Sequence, residues 1–211
     1  MQPGVEHQRA ITGLIAVAVV STVWSAIEPA DYATWFFELL LGAVFVATLV
    51  LLRNRFPFST LVLWVAAVHY IVLAVGAKYT YAEVPLFNYL RDALDLSRNH
   101  FDRVGHFMQG VSPALVMREL LLRKTGIGRN VWLGICSVAV ALAFSGMYEI
   151  LEWIWVALFY PDSGPEWLGM QGDPFDAQAD MLMATLGGLL SAVVLARLHD
   201  RSIERLDLDN D

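Results

Sequence analysis

The chain has 211 residues, of which 57% are hydrophobic and only 17% charged, with a formal charge of −7. An ordinary soluble domain is about half apolar and about a quarter charged, so this composition points to a membrane rather than a soluble globule. The acidic balance argues against a nucleic-acid binder, which needs Lys and Arg clustered on one surface; the single Cys136 excludes an intrachain disulfide, a CxxC pair or a thiolate zinc site.

Runs of roughly twenty apolar residues, each long enough to cross a hydrocarbon core about 30 Å thick, predict an all-α polytopic bundle with about six spans. These are residues 10–27, 33–52, 58–78, 103–122, 131–159 and 177–197, in one integral-membrane domain over residues 1–211. The first run has a thin positive region, Arg9, and no convincing small-x-small cleavage site after it, so it reads as a retained span rather than a signal peptide. In the second span, Glu38 is expected to be satisfied locally, and His69 in the third reads as a hydrogen-bonded core histidine.

The longest link, residues 79–102, contains LFNYLRDALDL. Leu86, Tyr89, Leu90, Ala93, Leu94 and Leu96 form an apolar set, with Arg91, Asp92 and Asp95 on another face. The pattern predicts an amphipathic helix lying on the outer interface or capping the bundle. Glu119 and Arg123, one turn apart, read as a solvated pair, and His7, His100 and His199 carry little signal beside polar segments.

Charge sets the expected orientation. The links RNRFPF (53–58) and RKTGIGRN (123–130) are basic, as is the tail with Arg197 and Arg201. The alternate links carry Glu28 and Asp31, then Glu83, Asp92, Asp95 and Asp102, then Asp162, Glu166 and Asp173. The positive-inside bias places both termini in the cytoplasm, with Trp153, Trp155 and Trp167 as interface anchors on the outer side.

Three spans carry polar stripes. Asp102, His106, Gln109 and Pro113 follow helical steps, and Pro113 also leaves the carbonyl of Gln109 without its usual partner. Ser145, Glu149 and Glu152 share a face of the fifth span; Asp173, Asp176, Asp180, Met183, Gly187 and Ser191 share one on the sixth, where the small residues suit close packing in lipid. All three stripes lie toward the outer end, so Asp102, His106, Glu149, Glu152, Asp176 and Asp180 are expected to converge in one pocket there.

A carboxylate at mid-span costs about 2.5–3.5 kcal/mol, whereas a large aliphatic residue returns about 0.3–0.6. These acids must therefore sit near the interface, be protonated, or be paired. The excess of acceptors over donors favours a divalent cation, with His106, Glu149, Glu152, Asp176 and Asp180 as candidate ligands. An interhelical network that only fixes bundle register is the plainer alternative.

The stretches SRNHFDRVGHFMQGVSPALVMRELLLR, YEILEW, QGDPFDAQADM and KYTYAEVP resemble the YjdF-type bacterial inner-membrane proteins, a family defined by a domain of unknown function. The resemblance covers about residues 30–200 and implies a multi-spanning protein of the bacterial inner (plasma) membrane. A more distant similarity is to VanZ-like membrane proteins, with Asp102, His106, Glu149, Asp180 and Gly187 matching. The chain departs from that pattern at Glu152 and Ala184, where the family commonly shows Gln and Asn.

Three functions fit these residues. The first is an outward-facing metal or acid/base site acting on a lipid or envelope substrate; the second is a structural or partner-binding subunit; the third is a small transporter with a carboxylate relay. No Ser-His-Asp, GxSxG or P-loop pattern names a reaction, so whether the protein is an enzyme stays open. The expected contacts are with the lipid bilayer and not with nucleic acid.

Overall fold

The computed structural model describes residues 4–160 and 171–208. Among them are α1 (Val5–Ser25), α2 (Tyr32–Leu52), α3 (Thr60–Lys78), the short α4 (Pro85–Ala93), α5 (Phe101–Lys124), α6 (Val131–Phe159), α7 (Asp176–Leu189) and α8 (Ala196–Leu208). A π turn at Leu190–Val194 joins the last two. The chain is a polytopic helical bundle, and α1, α2, α3, α6 and Asp176–Val194 are each long and apolar enough to cross a membrane.

The remaining long helix, α5, has 24 residues, about 36 Å at 1.5 Å per residue. Length is not what sets it apart. It carries Asp102, Arg103, Arg118, Glu119, Arg123 and Lys124, and it packs against α3, α6 and α7. Several of its charges therefore meet protein rather than hydrocarbon, and the helix does not need the uniform apolarity of a lipid-facing span.

Local chemistry sets several helix ends. The Asp31 carboxylate accepts bonds from the Thr34 amide and hydroxyl, both at 2.7 Å, and so caps α2. The Thr34 backbone bond leads the effects that hold Asp31 below the ordinary carboxylate range. Asn130 caps α6 by accepting from the Trp132 and Leu133 amides.

The crossing of α5 and α7 is closer than side chains would permit. A Cβ at Gly110 would lie 2.0 Å from the Ala184 carbonyl oxygen, and one at Gly187 would lie 2.1 Å from that of Phe107. Below this contact the Ser191 hydroxyl donates to the Val111 carbonyl at 3.0 Å. The small-residue face of α7 is thus where two backbones meet.

On α4, Leu86, Tyr89 and the following Leu94 are exposed, while Phe87 packs edge-on against Phe101. An exposed apolar face on a short amphipathic helix suits an interfacial position. Trp153 is also exposed, whereas Trp155 stacks on Phe37 and meets Phe159. Asp162, Glu166 and Trp167 lie outside the described residues.

Several sequence expectations change at the opposite end. Glu119 is fully buried, not solvated: it accepts from the Ser59 amide at 3.0 Å, from Arg123 at 2.6 Å, and lies 3.1 Å from His199 Nε2. His199 is equally buried, and Arg118 joins it to Asp200. The basic tail forms a helix of its own, α8, whose Ser202 hydroxyl accepts from the Leu61 amide and whose Ile203 is buried. A polar residue escapes solvent there because another element folds over it, which spacing within one helix does not reveal.

Candidate functional site

At the other end of α5, the starts of α5 and α7 meet around two arginines. Arg98 pairs with Asp176 and lies 3.8 Å from Asp173 and 3.9 Å from Asp102. Arg103 pairs with Asp176 and Asp180 and lies 3.3 Å from Asp173. Asp176 and Asp180 are both buried, so these are ion pairs inside protein, where losing one partner is costly. The sequence expectation that acceptors outnumber donors overlooked Arg98 and Arg103. Their signal was present as two basic residues near Asp102, Arg103 next to it in α5 and Arg98 just ahead of the helix.

Asn99 locks the start of α5 in place. Its side chain donates to the Val84 carbonyl and to Asn88, and accepts from the Phe101 amide. Gln171 pairs with the Asn99 backbone through two bonds, Asn99 N to Gln171 Oε1 at 2.9 Å and Gln171 Nε2 to Asn99 O at 3.0 Å. The start of α5 is thereby tied both to α4 and to the segment leading into α7.

His106, 3% exposed, has one edge on α6 and the other on the acids. Its Nδ1 lies 3.2 Å from the Ser145 hydroxyl. Its Nε2 lies 3.3 Å from Glu149 Oε1, 3.6 Å from Asp102 Oδ1 and 4.0 Å from Asp180 Oδ1. One ligand atom from each of Asp102, His106 and Asp180 falls within 4.8 Å of the others. Neither Glu149 Oε1 nor Asp180 Oδ1 receives a hydrogen bond from a described residue, although both atoms are buried.

This grouping differs from the sequence-based ligand set. Asp176 is taken up by two guanidiniums, and Asp102 stands in the place expected for it. Asp173 is more exposed and also accepts from the Phe175 amide at the start of α7. Glu152 lines a neighbouring cavity of about 220 Å³ with Glu38, Asp102, His106, Gln109 and Tyr148.

Glu38 reaches across the fold rather than being satisfied locally: the Tyr148 hydroxyl of α6 donates to it. Gln109 Oε1 is buried without a hydrogen-bond partner among the described residues. His69 is buried, as expected, but neither ring nitrogen is hydrogen-bonded to a described residue, and its ring centre lies 6.3 Å from that of Phe45.

Chemically, the end of the bundle has two parts. The arginines tie α5 to the start of α7, and the imidazole brings together acids from three helices. A 186-residue alignment gives 39% identity to the inner membrane protein YjdF of Escherichia coli (strain K12), covering 88% of each chain. No solved structure matches the chain. A family model described as "Predicted membrane protein (DUF2238)" matches residues 10–201, and with nearly the whole chain covered, this protein belongs to that membrane-protein family.

Proposed function

We propose that the protein is a one-domain, multi-pass inner-membrane protein whose Asp102, His106 and Asp180 hold a divalent cation beside Glu149, at a site that acts on a lipid or envelope substrate. The observation that carries this reading is Asp180 Oδ1, a buried atom that no N–H of a described residue reaches and that faces His106 Nε2 and Asp102. A buried carboxylate oxygen left without a donor is costly, and a cation among these three ligands removes the cost.

The donor set fits such an ion. Oxygen ligands with one imidazole suit Mg, Mn or Zn better than a soft metal. Ser145 orients the ring, because with Nδ1–H donated to its hydroxyl the lone pair of Nε2 faces the acids. Arg103 holds the other oxygen of Asp180 and so fixes the direction of the free one. When bound, a divalent ion there would polarise a substrate oxygen or lower the pKa of a water. Glu149 is placed to accept the proton of that water, and Glu38 and Glu152 line the space in which a substrate would sit.

The measurement is metal per purified protein. About one divalent ion per chain is expected for the wild type, much less for Asp180→Asn and His106→Gln, and no change for Asp95→Asn, whose residue is exposed on the link before α5. Near-zero metal in all four would remove the cation and leave acid/base chemistry. A second role rests on the Arg98 and Arg103 ion pairs, which hold bundle register whether or not an ion is bound.

Orientation follows from charge. Arg123 donates to the Pro57 carbonyl at 2.6 Å and Arg129 lies 3.1 Å from Asp200, so the α2–α3 link, the end of α5, the start of α6 and α8 share one end of the bundle. We place that end, and both termini, in the cytoplasm, because it gathers the basic links. Reporter fusions at residue 165 and at the C-terminus should then give opposite signals; identical signals would overturn this orientation.

A further inference from the structure

Beside the polar cavity lies a second space of about 470 Å³, walled mostly by apolar side chains of α2, α3, α5 and α6, with Thr48 and His69 also on its walls. The two spaces share Glu38, Gln109 and Tyr148. Along α2 the apolar space runs from Glu38 to Leu52, about 21 Å at 1.5 Å per residue. That exceeds half of a hydrocarbon core about 30 Å thick. The groove therefore spans more than one leaflet's depth and has a polar chamber at one end.

It also opens sideways. Helices α2 and α6 meet at the chamber end through the Glu38–Tyr148 bond and the stacking of Phe37 on Trp155. Further along, Val44 of α2 and Phe144 of α6 both line the groove and are 54% and 49% exposed. In a membrane such exposed apolar side chains face lipid, so a chain can enter between the helices without crossing a polar barrier.

We infer that the groove takes one hydrocarbon chain of a membrane lipid whose head group, carrying an ammonium, occupies the adjoining acidic chamber. The lining of the chamber selects the head group: Asp31, Glu38, Asp102 and Glu152 line it, and among the described residues no Lys or Arg does. A head group with negative charge alone would find acids there and no lining base, whereas an ammonium can donate to each of them. At the junction, Gln109 Oε1 is a buried acceptor without a partner among the described residues, placed for a donor near the top of the chain. Moving a chain from lipid into an apolar groove gains little hydrophobic free energy. Preference must therefore come from the chamber, with the groove setting the geometry.

The inference deepens the proposed function by naming its substrate class, and rests on it only in placing the head group within reach of His106. Its test needs no metal. Detergent-purified protein in chelator is offered phosphatidylethanolamine or phosphatidylglycerol with identical chains, and bound lipid is counted by native mass spectrometry. The wild type should retain the ethanolamine lipid about tenfold better, the step that 1.4 kcal/mol produces.

Glu38→Gln should erase most of that preference while some lipid of either kind still binds. Val44→Trp, at an exposed position, should fill the groove and reduce retention of both lipids without unfolding the protein. Equal retention of the two lipids by the wild type, or full retention by Val44→Trp, would overturn the inference. Because Asp180→Asn should keep its lipid while losing metal, failure here and failure of the cation site are separate results.

Discussion

Gly110→Val should yield little protein that survives purification or unfolds cooperatively, whereas Gly126→Val should behave as wild type. The new Cβ at position 110 would begin 2.0 Å from the Ala184 carbonyl oxygen, and no side chain can rotate to relieve a clash with backbone. The helices α5 and α7 must instead separate. That breaks the Ser191–Val111 bond and draws Arg103 away from Asp176 and Asp180. Overpacking a core usually costs about 1–3 kcal/mol and occasionally more; a clash between two backbones belongs at the upper end or beyond. At Gly126 a Cβ meets nothing within 4 Å. Thermal unfolding in detergent compares the two, and a Gly110→Val protein with an unchanged midpoint would show that the helices do not cross so closely.

Arg103→Met should be the most damaging change among the charged residues at the site, at about 3–5 kcal/mol, the usual cost of leaving a buried ion without its partner. The guanidinium serves Asp176 and Asp180 together, and both acids are buried. The repair follows from the same physics: adding Asp180→Asn removes one stranded charge, so the double variant should be more stable than Arg103→Met alone. That positive coupling distinguishes an ion pair from simple loss of side-chain volume. Arg91→Met, which breaks only an exposed pair with Asp92, should leave stability unchanged. If Arg103→Met and the double variant were equally unstable, the arginine would matter for its packing and not for its charge.

What the sequence determined by itself follows from periodicity and length. Apolar runs long enough to cross a bilayer dictate helices, because backbone groups in hydrocarbon must bond within their own segment. The stripes of α5, α6 and α7 were legible for the same reason: His106 follows Asp102, and Asp180 follows Asp176, at a step set by the helix itself. Even the small-residue face carrying Gly187 can be read in the chain.

Tertiary structure decided which polar groups meet. Asp176 and Asp180 lie one turn apart on α7, yet one is held between two arginines while the other keeps an oxygen free beside His106. Their difference arises from how α5 crosses α7, and the crossing is close because Gly110 has no Cβ to meet the Ala184 carbonyl. Glu38 finds its donor in Tyr148, and Glu119 finds His199, across large separations in the chain. A helical step predicts that two residues share a face; whether that face meets a guanidinium, an imidazole or lipid depends on the neighbouring helix, and burial then makes each such pairing matter.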